Sequence, residues 1–284
     1  LPLRNDQSCQ EMPMNDGENE KEMRILDNNF VEMIVNLAEM LLPAVLSQER
    51  TRVSKRVIES IVNCCYSLAK RFEEFYPFFE NHNLFPIFTA ILDDDDQSSK
   101  TIYDIIRIAE ILFHDSAKYQ ILDINKIFGM ISNPSTIIQI ASLQCMLNTL
   151  HSNNDIAPVL MSNGIIPMIF EIFRDGSRKG KSYCCELLHD LYQLFPQELT
   201  PVIASKECIE LLCSFIPDGS RRKISFILKI CIKMHEIVSL SGGKNQFKEL
   251  FESIDSFNDI CDLASHEDAQ IAELANLLIE CVEN

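Results

Sequence analysis

The sequence contains no tryptophan, and only eight glycines and eleven prolines among 284 residues. So few turn formers argue against a β-rich fold with many tight turns and against low complexity. No apolar run approaches the roughly 18 uninterrupted residues of a membrane-spanning helix. No basic region followed by an apolar stretch opens the chain, so no signal peptide is expected. Cationic excess is lacking as well: 25 Lys and Arg stand against 42 Asp and Glu, a net charge of −17. Phosphate contacts need a basic footprint, which makes nucleic acid a poor partner.

Apolar residues are plentiful, at 46%, enough for one large domain or an extended repeat array. Eleven cysteines would mean disulfides in a small secreted domain. Here their number is odd, no Cys-x-x-Cys occurs, and Cys64-Cys65 and Cys184-Cys185 are adjacent in apolar helical stretches. They read as reduced core residues of a cytoplasmic or nuclear protein. Charge is uneven along the chain. Residues 171–235 hold ten basic and eight acidic side chains, net +2, whereas residues 246–284 hold one basic and ten acidic, net −9.

Residues 1–27 are polar and read as a flexible acidic tail. Residues 28–284 read as one helical domain. In "FVEMIVNLAEMLLPAVL" the spacing places Phe30, Ile34, Leu37, Leu41 and Val45 on one face. Short apolar helices are predicted to begin near Leu84, Ile124, Ile165, Cys208 and Ile254. Each is followed by a polar break and then a longer helix, and another short segment precedes several of them. Three helices per ~40–47 residues is the armadillo/HEAT period.

The stretch "RDGSRKGKS", residues 174–182, imitates a phosphate-binding loop. The motif needs four residues between its glycines and a strand before it. Gly176 and Gly180 are separated by three residues, and Asp175 would set an anion against the phosphate. Asp-Gly-Ser-Arg also recurs at Asp218, which marks the loop as architecture. Gly176 is expected to end a helix in the left-handed region, and Ser177 to cap the next one. The run Asp93 to Asp96 lacks the spacing of a calcium loop and reads as a helix entry. Four of the six histidines, His114, His151, His189 and His235, fall near the ends of long helices, where the dipole favours a cation. No metal-ligand quartet and no catalytic signature is visible, so no metal, cofactor or enzyme activity is expected.

The segment "SNGIIPMIFEIFRDGSRKGKSYCCELLHDLYQ", residues 162–193, resembles an armadillo repeat: Gly164 ends a first helix, Ile166-Pro167 opens a second, and Asp175-Gly176-Ser177 turns into a third. Within that family it is similar to the armadillo region of U-box ubiquitin ligases, although this chain contains no U-box. The resemblance implies that the third helices line a concave groove. In importin-α-like members that groove carries Trp and Asn one turn apart. Matching "Leu-x-Asn-Leu" to residues 274–277 puts Ala272 and Asn276 at those two positions in the sixth repeat. The same positions fall on Lys229 and Lys233 in the fifth repeat and on Glu186 and Asp190 in the fourth. They fall on Cys145 and Thr149 in the third, and on Asn63 and Ser67 in the first.

The expected fold is therefore all-α, a right-handed armadillo-like superhelical solenoid of about six three-helix repeats. The expected function is a non-catalytic scaffold or adaptor that binds a segment of another protein along the groove. The candidate binding residues are Arg178, Lys181, Glu186, Asp190, Arg222, Lys229, Lys233 and Asn276. The cations among them suit an acidic or phosphorylated segment. Alternative readings are an importin-α-like transport adaptor, which the missing Trp opposes, and an Hsp70 nucleotide-exchange cofactor.

Overall fold

The computed structural model describes residues 16–47, 51–71, 82, 84–94, 96–112 and 123–283, excepting the side chains of 16–29, 71 and 112. The expected tail up to residue 15, and His114, lie outside these residues. Among the described residues there are fifteen α-helices and no strand.

The helices group into two compact units, residues 1–84 and 85–284. In the first, α1 (Asp16–Leu46) packs along α2 (Arg52–Arg71). Helix α1 begins inside the segment read as a tail. Its core face is Val31, Val35, Ala38 and Leu42. Of the expected stripe, Phe30, Leu37 and Leu41 are solvent-exposed instead, and Ile34 and Val45 are half-buried. A helix that is apolar on two sides gives period analysis no way to choose between them. The buried side carries the small Ala38 and two valines, and α2 packs against α1.

The second unit is a row of repeats. A second repeat supplies α3 (Leu84–Leu92) and α4 (Ser99–Leu112). The third has α5 (Ile124–Gly129), continued by a 3₁₀ turn, and α6 (Thr136–Ser152). The fourth has α7 (Ala157–Ser162), α8 (Ile165–Asp175) and α9 (Arg178–Leu194). The fifth has α10 (Pro196–Ile203), α11 (Lys206–Cys213) and α12 (Arg221–Leu240). The sixth has α13 (Lys244–Glu252), α14 (Phe257–Leu263) and α15 (Ala269–Glu283). The long helices α4, α6, α9, α12 and α15 pack each against the next, and α8, α11 and α14 form a parallel row. Aromatic contacts carry the core from repeat to repeat: the Phe173 and Phe215 rings meet edge-on at 6.0 Å.

The turn of the fourth repeat shows why its residues recur. A helix, α8, and not a strand, leads into it, so the loop lacks the setting of a nucleotide site. Ser177 caps α9, its hydroxyl accepting from the Gly180 amide at 3.1 Å. Gly164 adopts the left-handed region, with φ 79°. Gly176 does not: its φ is −77°. Glycine is needed there because a Cβ would stand 2.5 Å from the Ile172 carbonyl oxygen. The described aspartates of the run likewise make a local turn, Asp94 accepting from the Asp96 amide at 3.1 Å and from Gln97 at 2.7 Å.

Candidate functional site

The row of third helices carries a chain of polar and aromatic side chains from repeat to repeat. On α4, Glu110 pairs with Arg107 and accepts from Gln144 and Asn148 of α6, at 3.1 and 2.6 Å. Burial pushes the Glu110 carboxyl above the usual carboxylate range, despite the Arg107 charge and the hydrogen bonds it receives. Gln144 in turn accepts from the Tyr183 hydroxyl of α9 at 3.1 Å, and the Lys179 ammonium stands 6.0 Å from the centre of that ring.

Between α9 and α12 the chain becomes ionic. Glu186 is buried and pairs with buried Lys223 and, at 2.8 Å, with Arg222. The Arg222 guanidinium lies 5.2 Å from the Phe226 ring centre, and His189 stacks on that ring at 4.0 Å. Asp190 receives two imidazoles, His189 at 2.9 Å and His151 of α6 at 2.7 Å. Burial raises the Asp190 carboxyl, but the bonds from His189 and then His151 outweigh it, leaving its pKa below the usual value. Asp190 and His151 also line a hollow of about 380 Å³ with Leu150, Asn154, Gln193 and Leu194.

The eight candidate residues fall into three settings. Glu186, Arg222 and Asp190 belong to this network. Arg178 is exposed at the head of α9, where Nε and Nη2 donate to the Asp218 carbonyl at 3.1 and 2.7 Å. Lys233 pairs with Glu236 at 2.7 Å, and the exposed Asn276 amide donates to the Ala272 carbonyl at 2.9 Å. Lys181 and Lys229 are half-exposed and have no ion-pair partner among the described residues. Arg178, Arg222 and Lys233 thus each engage a group of the protein itself, which leaves Lys181 and Lys229 as the uncompensated cations of the set.

The third repeat corrects the expected register. Cys145 and Thr149 are in the core, and the accessible pair one turn apart is Gln144 and Asn148. A spacing of 42 residues to Glu186 and Asp190 would have found them, but one residue of loop variation is enough to displace an alignment made by offset alone. Glu110, Tyr183 and Phe226 carry no signal in the sequence, since none belongs to a short motif.

No protein-family model matches the sequence, and no curated protein matches it. Solved structures do. One is a designed armadillo repeat protein in complex with the peptide (KR)4, 13% identical with a TM-score of 0.58, covering 89% of this chain and 99% of that one. Another comes from computationally designed armadillo repeat proteins for modular peptide recognition, also 13% identical with a TM-score of 0.58, covering 88% and 99%. The comparisons give no support to the finer likeness to U-box ligases. At these identities the likeness is one of architecture: the chain is an all-α solenoid of armadillo type.

Proposed function

We propose that the chain is a non-catalytic protein-binding scaffold whose third-helix row receives an extended or helical segment of a partner protein. The observation that carries this reading is Lys229, half-exposed in the middle of α12, with no ion-pair partner among the described residues and one turn before Lys233. An unanswered cation in an acidic chain suits an acidic or phosphorylated residue of the partner. Lys181 on the neighbouring third helix adds a second such charge, and Asn276 a hydrogen-bonding amide farther along the row. The designed solenoids of the same architecture offer a precedent for peptide capture by this fold. Ten free thiols among the described residues suit a reducing compartment, so we place the protein in the cytoplasm or nucleus.

Proximity labelling with mass spectrometry would nominate the partner. Titration of its segment against wild type and the Lys229→Glu/Lys233→Glu variant is the test. Binding should fall more than tenfold, about 1.4 kcal/mol, and wild-type affinity should weaken with salt. Unchanged affinity with an intact fold would reject the cationic site.

A further inference from the structure

Helix α1 carries two apolar faces. Val31, Val35, Ala38 and Leu42 are buried. A second stripe looks into solvent: Phe30 is 52% exposed, Met33 55%, Leu37 46% and Met40 73%. Leu41 and Ala44 continue it. Positions 30, 33, 37, 40 and 44 repeat at alternating spacings of three and four, the a/d seam of a heptad pattern. The seam runs for about 21 Å at 1.5 Å per residue.

Isolated apolar residues at a surface need no explanation; a contiguous stripe does. Of eleven large apolar side chains exposed among the described residues, five sit on this one helix and the other six are spread over six others. The stripe is therefore a surface in its own right. It contains two methionines, whose flexible thioethers adapt to the contour of an incoming helix.

Charge says what kind of helix. At 100° per residue, Glu32, Asn36 and Glu39 occupy the strip beside the seam. The segment 30–46 contains no Lys, Arg or His. Glu39 already holds His82 at 2.8 Å, while Glu32 is exposed. A second copy of the chain would bring the same glutamates and another −17 of net charge, with no cation from residues 30–46 to answer them. A helix whose apolar seam is flanked by Lys or Arg would bury the stripe and neutralise its edge.

We propose that the outer face of α1 is a docking seat for a basic amphipathic helix of another protein, about four turns long. It belongs to the first unit, whereas the third-helix row described above belongs to the second.

The probe is a synthetic 18-residue helix with Leu at a and d and Lys at e and g, titrated by fluorescence anisotropy into the full chain. A control peptide carries Glu at e and g. The Lys peptide should bind at micromolar concentration and the Glu peptide at least tenfold more weakly. Met33→Gln/Leu37→Gln leaves the net charge unchanged and should weaken the Lys peptide at least tenfold. Its thermal melt should match wild type, because both side chains are exposed. Glu32→Gln should flatten the salt dependence. The Lys229→Glu/Lys233→Glu variant should bind the probe no more weakly than wild type. Equal binding by wild type and Met33→Gln/Leu37→Gln would overturn the proposal, as would equal binding of the two peptides. A dimer in sedimentation equilibrium that this double variant disperses would overturn it too, by showing that a second copy fills the seat.

Discussion

Arg178, at the head of one third helix, holds the backbone of Asp218 in the following repeat through two nitrogens of its guanidinium, at 3.1 and 2.7 Å. Arg221 occupies the same place one repeat later and pairs there with Glu267 and Asp268. A cation in the first turn opposes the helix dipole. The repeats keep one because it fastens the next loop. Arg178→Lys retains the charge but loses the fork. We expect Arg178→Lys and Arg178→Ala to destabilise almost equally, by about 1 kcal/mol, in urea denaturation. Full stability of the lysine variant would show that charge alone matters.

Two glycines should respond to alanine for different reasons. At Gly176 the added methyl would press on the Ile172 carbonyl, and the helix end must shift; a loss of about 1–3 kcal/mol is expected. At Gly129 nothing lies within 4 Å of the added atom, and the backbone is already helical, with φ −58°. Alanine there should stabilise by ~0.4–1 kcal/mol. Thermal melts of the two variants should therefore move in opposite directions.

The buried pair of Glu186 and Lys223 should show strong non-additivity. Glu186→Ala leaves Lys223 uncompensated in the core and should cost about 3 kcal/mol or more. Glu186→Leu/Lys223→Met replaces both charges by apolar groups and should cost much less. A double variant as unstable as the sum of its singles would refute the pairing.

Acid and neutral pH should separate two carboxylates. Asp190 has a depressed pKa in the folded state, so the stability it contributes is present above the unfolded value of about 3.9 and is lost as pH falls through the folded one. Asp190→Asn should flatten that acid limb. Glu110 is raised, so its contribution is full below the unfolded value of about 4.3 and is lost as pH rises through the folded one. Glu110→Gln should therefore gain on wild type between pH 4 and pH 7. Urea midpoints taken below pH 4 for Asp190→Asn and between pH 4 and pH 7 for Glu110→Gln would show the two opposite trends; curves parallel to wild type in both windows would contradict both assignments.

The repeat period was legible because short apolar helices, polar breaks and long helices recur in the chain itself: starts expected at Leu84, Ile124 and Ile165 are the observed starts of α3, α5 and α8. The Ser177 cap was legible for the same reason, being a local event. What pairs with what across repeats was not. Arg178 and Asp218 are forty residues apart, and the Asp-Gly-Ser-Arg motif their loops share marks a repeat, not a contact. Phe30, Leu37 and Leu41 of the outward stripe of α1 were visible on one face, but Met33 and Met40 were not, and which of two apolar faces is covered depends on α2 and not on α1.

The repeats of this solenoid are not interchangeable units. Glu186 lies in the core only because the following repeat supplies Lys223 and Arg222, and Glu110 relies in the same way on Gln144 and Asn148. A fourth repeat transplanted without its fifth would carry a buried anion into its new host. The heritable unit is the interface between two repeats, and changes that alter one side are constrained by the residue waiting on the other.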